Sequence, residues 1–126
     1  VNTLEAVERA ISLALAPAFL LTATMTALNA LTTRLTRILD RMVDAAGPSE
    51  REWLDTRSRL ARRSVQFCAA SAFLVALQIT LTFVGALLGL RDGSWVALVL
   101  IAAMAAFMAA MLSFVAETIM AERGPR

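Results

Sequence analysis

The chain has 126 residues, of which 59% are hydrophobic and 17% charged, with a formal net charge of +2 and an isoelectric point near 9.9. Average soluble domains carry about 25% charge, so this composition, with a mean hydropathy of +0.69, excludes an ordinary soluble domain and points to a lipid bilayer. With no histidine, one cysteine and no glycine-rich phosphate loop, the chain has no means for a Ser-His or Cys-His relay or a structural zinc cluster, and neither an enzyme, a metal nor a cofactor is expected.

Residues 10–31, 64–90 and 94–116 form three runs without a charge. Each exceeds the ~20 residues needed to cross a hydrocarbon core. The expected fold is therefore all-α: one integral membrane domain over 1–126, with three transmembrane helices at about 3–46, 50–90 and 94–122. The first run follows Glu5, Glu8 and Arg9 instead of a basic segment, so it is expected to be retained and not cleaved as a signal peptide.

Asn2 with Glu5 has capping-box form and opens the first helix. Pro17 removes a backbone donor inside it, which predicts a break there. Beyond the proline, Thr22, Thr26, Asn29, Thr33, Thr36 and Asp40 recur at intervals of four and three. At about 100° per residue they fall within roughly 40° of one direction. Such a polar line cannot be left to lipid, and it must face a helix, another subunit or water. Continued in the same register, the line takes in Phe19, Leu15, Ser12, Glu8 and Glu5. Thr24 and Thr32 lie off it, and if the line borders an ion path, substitutions at Thr24 are expected to change flux much less than those on the line.

All twelve basic residues are arginine. Arg34, Arg37, Arg41, Arg51, Arg57, Arg59, Arg62 and Arg63 separate the first two runs, whereas Arg91 stands alone between the second and third. By the positive-inside rule the 34–64 link and the C-terminus are cytoplasmic, and the N-terminus and the Arg91–Ser94 turn are outside. The basic residues alternate with Asp40, Asp44, Glu50, Glu52 and Asp55 and lack aromatic platforms, which argues against nucleic acid as a partner. Gly47-Pro48 stops the first helix, and Ser49 with Glu52 suggests a cap for the second. The first two helices thus extend into a cytoplasmic hairpin, with Leu35, Ile38, Leu39 and Met42 facing Trp53, Leu54 and Leu60. Arg37/Asp40 and Arg41/Asp44 are candidate local ion pairs.

Ser94 is a candidate cap for the third helix, and Trp95 a candidate interfacial anchor. Gly85 and Gly89 in G-x-x-x-G spacing, and Ala102, Ala106 and Ala110, favour close helix packing. Cys68 reads as a buried small side chain, Gln78 as a hydrogen-bonding residue to a neighbouring helix, and Met104, Met108 and Met111 as a packing stripe. Glu117 is expected to snorkel to the cytoplasmic interface or pair with Arg123.

The run Leu15-Ala16-Pro17-Ala18-Phe19-Leu20-Leu21, the segment Leu28 to Arg41 (LNALTTRLTRILDR) and Phe114-Val115-Ala116-Glu117 together resemble a bacterial family of small three-helix membrane proteins filed as a domain of unknown function, number 2721. The resemblance covers nearly the whole chain. It implies a three-helix membrane fold and a bacterial membrane, and carries no activity.

Two functions from different classes fit the polar line. In a homo-oligomer of about four to six copies in the bacterial inner membrane, helix one would surround a cation-permeable pore. Glu5, Glu8 and Asp40 would attract inorganic cations, Leu15 and Phe19 would form an apolar gate, and Ser12, Thr22, Thr26, Asn29, Thr33 and Thr36 would complete the lining. Alternatively, the line packs a partner helix in a non-conducting scaffold or regulatory subunit whose arginine-rich hairpin contacts anionic lipid or protein.

Overall fold

The computed structural model describes residues 2–89 and 93–124. They form three helices in chain order: α1, Asn2–Val43; α2, Pro48–Leu88; and α3, Ser94–Arg123. All three are long and apolar enough to cross a bilayer, which makes the chain a multi-pass membrane protein. At 1.5 Å per residue the 42 residues of α1 extend about 60 Å, roughly twice a ~30 Å hydrocarbon core. One end of the α1–α2 pair therefore projects beyond it.

The helix ends follow local chemistry, with some departures from the expected caps. α1 continues through Pro17 instead of breaking there. Proline forfeits one backbone hydrogen bond, but Pro17 is buried beside Ala14 on the packing face, where helix packing offsets that loss. α1 ends at Val43, three residues short of expectation, and Asp44 and Ala45 close the end with turn bonds to Arg41 and Met42. α2 starts at Pro48, a residue suited to a first turn because its missing N–H would be unpaired there in any case. Gly47, in extended geometry, takes the N-cap place expected of Ser49, and the Glu50 carboxylate accepts from the Ala46 N–H at 3.2 Å. Gly93 likewise takes the N-cap place expected of Ser94. Gly89 ends α2 in the left-handed region, at φ 71°, where a side chain would be strained. The expected turn residues Leu90, Arg91 and Asp92 lie outside the described residues.

α2 lies in the middle, packed along both α1 and α3, which touch each other sparingly. Its neighbours run antiparallel to it. On the α1 side the Cys68 thiol donates to the Thr24 carbonyl at 3.3 Å, and Leu31, Cys68 and Ala110 are buried together with Leu28, Phe107 and Phe114 against them. On the α3 side the Ser71 hydroxyl donates to the Ala103 carbonyl at 2.8 Å. Toward the α1–α2 turn Ile38, Leu54 and Ala61 form a second cluster with Leu35, Met42 and Trp53. This is the expected hairpin seam, except that Leu39 points outward and Ala61 stands in the cluster where Leu60 was expected.

The small residues are used differently from their spacing. Ala103 and Ala110 are fully buried on α3, while Ala102 is exposed. A Cβ added at Gly85 or Gly89 would meet nothing within 4 Å, so this G-x-x-x-G pair makes no close approach among the described residues. Met104 and Met108 are exposed, part of an outer surface and not of an internal stripe. No more than 22% of any apolar window is buried. The remaining apolar surface is left for lipid or for other chains.

Candidate functional site

α1 divides its circumference cleanly. Ala14, Pro17, Thr24, Leu31 and Ile38 are buried on the side facing α2 and α3. The opposite side carries Glu5, Glu8, Ser12, Leu15, Phe19, Thr22, Thr26, Asn29, Thr33, Thr36 and Asp40, every one of them exposed. Because the helix continues through Pro17, the upper and lower parts of this line keep one phase, and Phe19 at 74% exposure stands directly in it. The eleven residues are thus brought together as a continuous stripe, uncovered by the rest of the described chain.

Their chemistry is graded along the helix. Thr22, Thr26, Thr33 and Thr36 each donate a hydroxyl hydrogen bond to the carbonyl four residues before, at 2.9 to 3.2 Å. The donors are satisfied within the helix, and the hydroxyl oxygens face outward as acceptors. No residue of the described chain bonds the Asn29 carboxamide. Thr24 is the exception among the threonines. It is fully buried, with its hydroxyl on the Leu20 carbonyl at 2.7 Å and its own carbonyl accepting from the Cys68 thiol, so a substitution there alters packing.

A second polar arrangement lies inside the bundle. Glu117 is fully buried. It accepts from Arg57 Nε of α2 at 2.9 Å through one oxygen and from Arg34 Nε of α1 through the other. A snorkelling carboxylate or an Arg123 pair was the simpler expectation. The antiparallel packing instead sets both guanidinium groups against Glu117, six residues before α3 ends, and a buried charge of this kind is held only when paired and hydrogen-bonded. Aromatic rings complete the enclosure. Trp53 lies 4.7 Å from the Arg57 guanidinium and 5.7 Å from that of Arg41, Phe114 lies 5.3 Å from that of Arg34, and the Trp53 indole donates to the Met120 carbonyl at 3.0 Å. Arg41 thus meets an aromatic ring where Asp44 was expected. The ion pair within one helix among the described residues is Arg59 with Asp55, at 2.8 Å.

Arg34 and Glu117 stand beside apolar runs, whereas Arg57 was one of eight arginines in the link between the first two runs. What spacing could not show was that residues 34, 57 and 117 share a level, because that depends on the register of both helix pairs.

At the opposite end the helices leave an open crevice of about 850 Å³. Arg9 and Leu13 of α1, Gln78, Thr82 and Gly85 of α2, and Leu100 of α3 are among its lining residues. Gln78 bonds Thr82 of its own helix at 3.3 Å instead of a neighbouring one. The Thr82 hydroxyl already donates to the Gln78 carbonyl, so it can only accept from the carboxamide, and the Gln78 Oε1 is left buried without a partner.

Among the described residues no group of three or more His, Cys, Asp or Glu side chains is placed to hold a metal. Residues 14–125 match the model of a family described as a protein of unknown function, DUF2721. No curated protein and no solved structure matches the chain.

Proposed function

The chain belongs to the DUF2721 family, and from that premise we propose that it forms a homo-oligomeric, cation-permeable channel with α1 lining the path. The observation that carries this reading is the uncovered stripe on α1, continuous from Glu5 to Asp40. A membrane helix with such a face needs a partner other than lipid, and a symmetric ring of about four to six copies would supply one. Glu5 and Glu8 at the mouth concentrate cations, Leu15 and Phe19 form a constriction that gates by dewetting, and outward threonine oxygens with Asn29 line the conduit. α2 and α3 are the wall toward lipid. In this reading the membrane is a bacterial inner membrane, and the arginine distribution supports a mouth on the outside with the hairpin on the cytoplasmic side.

The i→i−4 threonine bonds favour one competing reading. They lower the cost of removing these side chains from water, as a dry interface with a partner helix in a scaffold or regulatory subunit would require. Ion flux in proteoliposomes separates the two. In a channel, Phe19→Ser wets the constriction and raises flux, Glu8→Gln lowers cation preference, and a substitution at exposed Thr32, off the stripe, does neither. A scaffold conducts in no variant and loses its partner when Thr26 or Asn29 is changed. Correctly assembled wild type and Phe19→Ser protein that both fail to conduct would rule the channel out.

A further inference from the structure

The outward face of α2 carries a second polar feature that the pore does not use. Arg59, Arg62 and Arg63 are exposed there. Arg59 is paired with Asp55, whereas neither Arg62 nor Arg63 forms an ion pair with any described residue. Their level in the membrane follows from α3. The Arg57–Glu117 and Ser71–Ala103 contacts share one antiparallel register, which sets Arg62 level with Leu112 and Arg63 with Met111. Leu112 is 68% exposed, and α3 goes on presenting Val115 and Ile119 to the outside. Along that helix, Leu112 to Ile119 is a further ~10 Å of surface suited to lipid tails. One to three turns deeper on α2, Phe67 and Phe73 are also exposed.

Two unpaired guanidinium groups therefore stand level with surface that hydrocarbon would cover. Charge at that depth must snorkel to the headgroup layer or draw headgroups toward it. The guanidinium fork matches phosphate oxygens in two-point geometry, and no carboxylate of the described chain neutralises either residue. We infer that Arg62 and Arg63, with Arg59 one turn nearer the water, bind the phosphate of an anionic phospholipid whose acyl chains lie along Phe67 and Phe73. The unneutralised double positive charge selects an anionic over a zwitterionic headgroup, although both contain phosphate. The site is on the lipid-facing wall and is independent of whether α1 conducts.

Native mass spectrometry of the purified full chain, released from nanodiscs doped with dioleoylphosphatidylglycerol or dioleoylphosphatidylcholine, tests this with two lipids of identical chains. Wild type should retain the phosphatidylglycerol at least ten-fold better. Each arginine near a charged bilayer contributes about five-fold, so Arg62→Gln alone should lower retention about five-fold and Arg62→Gln with Arg63→Gln about thirty-fold. The corresponding double lysine variant, which keeps the charge, should stay within a few-fold of wild type, and Arg51→Gln, beyond the apolar level, should change nothing. The single variant and a rise in ionic strength, which should weaken retention of wild type, keep the test decisive if the double variant folds poorly. Equal retention of the two lipids by wild type, or an undiminished preference in the glutamine variants, would overturn the site.

Discussion

The two ends of the three-helix unit treat buried polar groups in opposite ways. Near the α1–α2 turn, Glu117 is fully enclosed and each of its oxygens is met by an arginine from a different helix. Toward the α2–α3 turn, Gln78 is also buried, at 5% exposure, but its Oε1 has no partner among the described residues, and the helices around it leave an open crevice of about 850 Å³. The first arrangement ties α1, α2 and α3 at a single point, and the second leaves them joined by little beyond apolar contact. In a membrane, where lipid supplies no hydrophobic drive between helices, such polar ties and close packing decide which ends hold together. The exposed stripe of α1 spans both ends, so its geometry depends on the tied one.

The largest effect that could break this comparison is at Glu117. Replacing it with Leu leaves Arg34 and Arg57 without their carboxylate, and losing one member of a buried ion pair costs about 3–5 kcal/mol. The Glu117→Leu protein should unfold at markedly lower denaturant in mild detergent, and an unchanged midpoint would mean that the cluster does not hold the helices together. Gln78→Leu should behave oppositely. It removes an unsatisfied acceptor whose burial costs on the order of 1–3 kcal/mol, so unfolding should move to the same or higher denaturant, while a clear loss would show that Gln78 has a partner in the membrane. The smallest effect is at Gly85, where an added Cβ meets open space. Gly85→Ala should stabilise α2 by about 0.5–1 kcal/mol, and destabilisation would mean that another chain or a lipid occupies the crevice against that glycine.

The helices and the polar stripe were legible in the sequence because both depend on local quantities: uninterrupted apolar length for the first, and 3.6-residue periodicity for the second. The stripe residues from Glu5 to Asp40 stay on one exposed face as the periodicity requires. Features set by helix pairing were not legible. Glu117 bridges Arg34 and Arg57 because two separate registers coincide at that level, and no spacing within one helix encodes this. The same limit applies to glycine. Gly85 and Gly89 have the spacing of a packing motif, yet Gly89 serves as the α2 C-cap and Gly85 borders open space. Thr24 shows the converse, since its burial follows from lying opposite the stripe, where the helix meets Cys68.

Whether the α1 stripe faces a shared aqueous path is tested most directly by charged-thiol block of flux. In a Cys68→Ala background, Asn29→Cys protein in proteoliposomes should conduct cations and lose conduction when a membrane-impermeant, positively charged thiol reagent is added, while Leu31→Cys, on the buried face of α1, should be insensitive. Full modification at position 29 with no change in flux, or no conduction before the reagent in an intact oligomer, would contradict a pore lined by α1.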